Sequence, residues 1–262
     1  MQLTTNTFKQ ALRLKRPQIG LWMGLADAYV AELLASTGFD CLVIDAEHSP
    51  NDPRSVLPQL QAMAPYPVHP IVRPVHGRVD LIKQYLDIGA QTLIIPMVES
   101  PEQARQMVAA TRYPPRGVRG VGTAVARASR WNQIDDYAAR SDDEMCLLVQ
   151  VESVNALSQI ERIAAVDGVD GIFFGPADLA ASMGLLGRPS DPAVQAAIVQ
   201  GIAAVNQAGK AAGTLTSDRK LAREYLNQGA LFVAVGVDTM LLVKSAKELA
   251  AEFKPPALRA PE

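Results

Sequence analysis

Eight short apolar runs, each separated from the next by a stretch of different periodicity, constrain this chain more than any other feature. The runs are Gln18–Gly24, Cys41–Asp45, His69–Pro74, Thr92–Val98, Met145–Val151, Gly171–Gly175, Ala211–Leu215 and Leu231–Gly236. Each is almost continuously apolar, the pattern of a parallel strand covered on both faces. Helical spacing marks Ala28–Ser36, Val79–Ile88, Pro101–Thr111, Asn155–Ala165, Pro192–Ala208, Asp218–Gln228 and Thr239–Phe253. Asp27 and Ser100 stand where N-caps belong, Pro101 at a first helical position, and Gly38 and Gly89 where helices stop. Parallel strands joined by helices cross over right-handedly, and eight such units close into a (β/α)8 TIM barrel. A chain of 262 residues is expected to form one such domain over 1–262, since these barrels run to about 250 residues.

The longest break in the rhythm, between Val98 and Met145, holds one helix and then a Gly-, Arg- and Trp-containing segment that reads as part of an active-site mouth. The Pro/Ala-rich tail 254–262 is expected to be loose. A net charge of −2 offers no basic surface for nucleic acid. No run approaches a membrane span, and the polar N-terminus does not read as a secretory leader. Cys41 and Cys146 sit in apolar runs without a CxxC neighbour and read as buried, reduced thiols. Together these point to a cytoplasmic protein.

Barrels carry their working groups at the C-terminal ends of the strands. Here those ends bring Asp45-Ala46-Glu47-His48, Arg73-Pro74, Gln150-Val151-Glu152 and Gly175-Pro176-Ala177-Asp178 to one rim. Glu152 and Asp178 follow neighbouring strands. Paired carboxylates with open positions suit a hard cation such as Mg²⁺, Mn²⁺ or Co²⁺; the competing reading is a helix cap for one and an arginine partner for the other. Gly175 through Asp178 form a tight turn whose backbone N–H groups suit a carboxylate, or else an ordinary βα turn capped by Asp178. Arg73 is placed to stabilise an enolate oxygen, the alternative being a surface arginine. His48, beside Asp45 and Glu47, is the candidate acid/base, because imidazoles as a class titrate near neutral pH. None of the eight lysines follows a strand end. That disfavours Schiff-base chemistry and leaves a metal as the electron sink.

The segments GLWMGL, IDAEHSPND, PIVRP, TLIIPMVES, RGVGTAVARASRWN, VQVES, GPADL and LFVAVGVDT occur in the order seen in the HpcH/HpaI aldolase family, which this chain resembles from about Phe8 to Phe253. The resemblance implies a pyruvate-dependent class II aldolase, a carbon–carbon lyase on a phosphoenolpyruvate/pyruvate-type barrel. Its expected reaction is reversible cleavage of 4-hydroxy-2-oxoheptanedioate to pyruvate and succinate semialdehyde, late in the catabolism of an aromatic acid, with broad aldehyde acceptance. It implies Glu152 and Asp178 as metal ligands, Gln150 and the Ala177 backbone as pyruvate contacts, His48 as base and Arg73 as transition-state stabiliser. Asp87 becomes the group that raises the basicity of the histidine, where the residues alone offered Asp45; Asp45 stays as a secondary candidate. Trp22 and Leu215 shape the aldehyde pocket, Val121 reaches toward a neighbouring subunit, and the assembly is a homohexamer with exchanged C-terminal helices. The chain departs from the family pattern at Val75-His76-Gly77 and Ala46, which bear on aldehyde preference. Aldolases of 2-keto-3-deoxy-L-rhamnonate or 2-dehydro-3-deoxyglucarate would share every residue named. A CoA-ester lyase would need a basic cluster that is missing, and a barrel that merely binds 2-oxo acids would lack an acid/base or a ligand.

Overall fold

A computed structural model of the chain describes residues 1–254; the tail expectation therefore lies almost wholly outside the described residues. Eight parallel strands close in sequence order, β1 Gln18–Met23, β2 Cys41–Asp45, β3 His69–Arg73, β4 Thr92–Ile95, β5 Cys146–Val151, β6 Gly171–Phe174, β7 Ala211–Leu215 and β8 Phe232–Val237. Pairing of β1 with both β2 and β8 completes the TIM barrel. Trp22, Val43, Ile71, Ile94, Leu148, Phe173 and Phe232 fill its interior. The opposite faces of the strands, with Leu42, Ile44, Leu93, Val149 and Phe174, pack under the helices. Burial on both faces is why the runs are continuously apolar rather than alternating.

Four helices escape the sequence reading, one of them the single turn Tyr137–Arg140 in the long connection. Pro53–Met63 carries Pro58 in its interior, which hides its period, yet Asp52 and Ser55 form a reciprocal capping box and Pro53 opens its first turn. Thr7–Arg13 packs across the N-terminal end of the barrel, where Lys9 is buried and its ammonium donates to Met145 O. Pro176–Ser182 follows β6 directly. The expected helix Asn155–Ala165 is two pieces, Val154–Ser158 and Ile160–Ala164, broken at Gln159.

The long connection is corrected more seriously. It leaves the C-terminal end of helix Pro101–Thr111 and returns to the start of β5, so it belongs to the barrel floor, opposite the mouth. There Arg127 Nη1 donates to Ile88 O at 2.9 Å, and Arg119 donates to Asp87 Oδ1 at 2.7 Å. Two cavities, of about 530 and 420 Å³, also lie at the floor. Two of the cations lining the larger one are engaged by carbonyls, Lys15 with Gly209 O at 3.0 Å and Lys210 with Val169 O at 2.7 Å, and Arg112 and Arg116 pair with Asp167 and Asp142. Gly209 lies just beyond helix Pro192–Gln207, whose C-terminal carbonyls carry partial negative charge, so the Lys15 contact satisfies the fold itself. Among the described residues no helix is long and apolar enough to cross a membrane.

Candidate active site

Strand register assembles the mouth. Asp45 and Arg73 are direct partners across β2 and β3. Arg73 Nε donates to Asp45 Oδ1 at 2.9 Å and Nη2 to Oδ2 at 2.8 Å, a two-point fork. Arg73 Nη1 lies 2.7 Å from Glu47 Oε2. The guanidinium carbon sits 4.8 Å from the centroid of the Trp22 ring, which in turn tilts against Phe173 at 5.4 Å. Arg73 is thus a buried cation on an aromatic floor and not a surface arginine. Trp22 is itself buried beneath it, while Leu215, ending β7, is half-buried.

The β5–β6 register pairs Gln150 with Phe173 and Val151 with Phe174, which carries Glu152 alongside Gly175. Glu152 is 2% exposed. Its Oε1 accepts from the Met97 N–H at 2.8 Å, and its Oε2 accepts from Gln150 Nε2. Met97 holds a left-handed backbone (φ 54°), unusual for a residue with a Cβ, and this turn aims its N–H at the carboxylate. Burial pushes the Glu152 carboxyl up to about 7, the Gln150 and Met97 hydrogen bonds oppose that rise, and the charges of Asp178 and Glu47 add to it. Asp178 lies in the first turn of Pro176–Ser182, whose N-cap is Gly175 without a side-chain bond. Among the described residues neither carboxylate caps a helix or pairs with an arginine.

Gly175 is required for space. A Cβ there would lie 2.3 Å from Glu152 Oε2 and 2.9 Å from Gln150 Nε2. The room is taken by the Glu152 carboxylate. Gly175→Ala is expected to turn Glu152 aside and weaken divalent-metal binding by about 10- to 100-fold, the range for losing support of a ligand; calorimetric titration with Mn²⁺ measures it.

Burial alone would raise the Asp45 carboxyl, but the hydrogen bonds and charge of Arg73 outweigh it and hold it below the ordinary range. Glu47 is raised, by burial first, against the attraction of Arg73 and His48. His48 stands 65% exposed, with its Nε2 3.8 Å from Glu47 Oε2. Asp45 meets His48 only through the backbone N–H, at 3.4 Å, because its carboxylate is committed to Arg73. The proposed Asp45–imidazole pairing is therefore not formed.

Nor does the chain bring Asp87 to His48. Asp87 ends the helix Val79–Asp87 at the floor, where it is paired with Arg119. Arg119 is buried between the Tyr113 and Tyr137 rings. Val121, two residues on, is 69% exposed, outside its own chain's mouth. His69 is buried, shares a proton with Thr92 Oγ1 at 2.7 Å, and is lowered to about 3 by desolvation, a structural histidine. Both cysteines are buried and free. Sequence reasoning named Glu47 only as a neighbour; its contacts with Arg73 and His48 depend on loop geometry.

Asp45 and Glu47 thus hold a single guanidinium at one end of the barrel, and Glu152 and Asp178 stand at the same end, near enough to Glu47 for their charges to oppose one another. Residues 18–245 match HpcH/HpaI aldolase/citrate lyase. A hydroxypyruvate/pyruvate aldolase of Pseudomonas aeruginosa is 60% identical over 254 residues, spanning 97% of this chain and 95% of that protein. A 4-hydroxy-2-oxo-heptane-1,7-dioate aldolase of Salmonella arizonae is 58% identical over 248 residues, spanning 95% of this chain and 94% of that protein. The crystal structure of a family protein from Burkholderia cenocepacia J2315 superposes with a TM-score of 0.91 at 41% identity, covering 95% of this chain and 99% of that one. The chain belongs to the HpcH/HpaI aldolase/citrate lyase family.

Proposed function

We propose that the protein is a divalent-metal-dependent aldolase that reversibly splits 4-hydroxy-2-oxo acids into a 2-oxo acid and an aldehyde. The observation that carries this reading is the excess of carboxylates at the mouth, four against one guanidinium, with Glu152 buried and raised to about 7. The donor set fits a hard cation, since every candidate atom is oxygen and Gln150 Oε1 is buried without a partner. Among the described residues no three metal-ligating side chains converge. Glu152 and Asp178 would supply two ligands and leave the rest to water and substrate, as Mg²⁺ sites do; Mn²⁺ or Co²⁺ would fit alike. The cation would draw charge from the keto oxygen of the bound acid.

The chain's own groups do the rest. The N–H groups at Ala177 and Asp178, after Pro176, hold the substrate carboxylate, with Gln150 beside it. In cleavage, His48 accepts the proton of the C4 hydroxyl, the C3–C4 bond breaks, and the aldehyde departs past Trp22 and Leu215. Arg73 steadies the enolate oxygen until His48 returns its proton to C3 and pyruvate leaves. In synthesis, His48 takes the methyl proton of pyruvate.

Relatives named for 4-hydroxy-2-oxo-heptane-1,7-dioate and for hydroxypyruvate are about equally similar, so the first comparison pairs 4-hydroxy-2-oxoheptanedioate cleavage, yielding pyruvate and succinate semialdehyde, with aldol addition by hydroxypyruvate. The working assembly is read as a cytoplasmic, single-domain homohexamer. On that reading Asp87 tunes a histidine of a second copy and Val121 edges its mouth, since their own mouth lies at the other end of the barrel. Coupled detection of released pyruvate tests the function. Turnover is expected to fall at least 100-fold after chelator treatment and to return with Mg²⁺, Mn²⁺ or Co²⁺; full turnover in rigorously stripped protein overturns it.

A further inference from the structure

The Arg73 guanidinium has five N–H groups, and the fold engages three of them. Two go to the Asp45 fork and one, on Nη1, faces Glu47 Oε2 at 2.7 Å. One N–H on each terminal nitrogen remains for substrate. The fork comes from a strand and fixes one edge of the guanidinium. The other edge would be free to swing without a second anchor, and Glu47 supplies it from the loop after β2.

That loop is itself held rigid. Glu47 N–H donates to Asp45 Oδ1 at 2.9 Å, Asn51 Nδ2 donates to Asp45 O at 2.7 Å, and Ser49 Oγ donates to the same carbonyl. Gln59 Nε2 then ties Asn51 to helix Pro53–Met63 at 2.7 Å. Glu47 is accordingly a placed acid, with its side chain 13% exposed. Its Oε2 is buried and accepts no well-aligned hydrogen bond, so what it offers Arg73 and His48 is charge at short range.

We infer that Glu47 is a positioning residue of this mouth, fixing the free edge of the Arg73 guanidinium and placing a carboxylate beside His48 of the same chain. The inference rests on the aldolase reading above. It sets Glu47 apart from Glu152 and Asp178: Glu47 acts through Arg73 and does not hold the cation.

The test uses full-length, metal-loaded protein and a double-mutant cycle of Glu47→Gln with Arg73→Lys. Glu47→Gln is expected to lower kcat for cleavage by about 30- to 100-fold, the scale of losing an orienting partner. The KM and the Mn²⁺ affinity are expected to stay within about threefold. In the Arg73→Lys background the same change is expected to lower kcat by less than about threefold, because groups that act as a unit are not additive. Glu47→Asp, which keeps the charge but withdraws it by one methylene, is expected to fall between wild type and Glu47→Gln and guards against a folding defect. Full additivity, a tenfold or greater loss of Mn²⁺ affinity, or unchanged kcat in Glu47→Gln each overturns the inference. Wild type that releases no pyruvate in the same assay overturns it together with the aldolase reading, so the two failures are told apart.

Discussion

Arg73→Ala is expected to lower kcat/KM for aldol cleavage by about 100- to 1,000-fold, the effect of removing one preorganised donor to a developing oxyanion. The guanidinium is buried, rests on Trp22 and is held by Asp45 and Glu47, so it is oriented before substrate arrives. Water entering the vacated space would have to reorganise at each turnover. The same substitution should also unsettle the fold. It leaves the buried Asp45 and the partly buried Glu47 without their shared cation, and breaking a buried pair typically costs about 3–5 kcal/mol. In a protein of this size that is on the order of 10 °C in Tm. Arg73→Lys separates the two effects. It restores a charge but not the fork, so most of the stability should return while activity stays low. Steady-state kinetics and thermal melts on both variants check this, and near-normal turnover in Arg73→Ala removes the enolate assignment.

Glu152→Gln should abolish metal-dependent turnover, by at least about 100-fold, yet make the metal-free protein more stable at alkaline pH. Burial raises the folded-state carboxyl to about 7, against 4.5 for an ordinary glutamate. Between those values the folded protein keeps a proton that the unfolded chain has released. Stability therefore falls as pH rises through this window, and the contribution is gone above about pH 7. The shift corresponds to about 3 kcal/mol as an upper figure. The amide carries no such penalty. The variant should melt several degrees above metal-free wild type at pH 8, and the two should converge near pH 5. Saturating Mn²⁺ should rescue wild type alone at pH 8. A Glu152→Gln protein less stable than metal-free wild type at pH 8 would show that the carboxylate is not buried against its charge.

These expectations trace to features legible in the sequence to different degrees. Seven strands are readable to within a residue because burial on both faces leaves uninterrupted runs such as Cys146–Val151, while β4 stops at Ile95 and not at Val98. Glu152 and Asp178 are readable because each closes such a run and the runs are consecutive. Helix Pro53–Met63 is not, since Pro58 breaks its apolar period and leaves only the Asp52 capping box and Pro53 to mark its start. The segment after Thr111 looked like a mouth from its Gly, Arg and Trp content. Connectivity overrules composition there, because a chain passing from helix to strand must cross the floor. The role of Asp45 was misassigned for a related reason. Adjacency to His48 in sequence suggested a pair, but strand register sets Asp45 opposite Arg73, and a two-point charged fork outcompetes a loop histidine. Asp87 carries no mouth signal at all: it ends a helix just before Gly89, at the floor.

The central claim is that Glu152 and Asp178 together hold the cation on which a 2-oxo acid is anchored. Calorimetric titration of stripped protein with Mn²⁺, followed by pyruvate, addresses it without reference to turnover. One Mn²⁺ per chain is expected for wild type, with at least about 100-fold weaker binding in both Glu152→Ala and Asp178→Ala and with pyruvate heat appearing only after Mn²⁺. Undiminished Mn²⁺ binding in either variant, or equally tight pyruvate binding to stripped wild type, would contradict it.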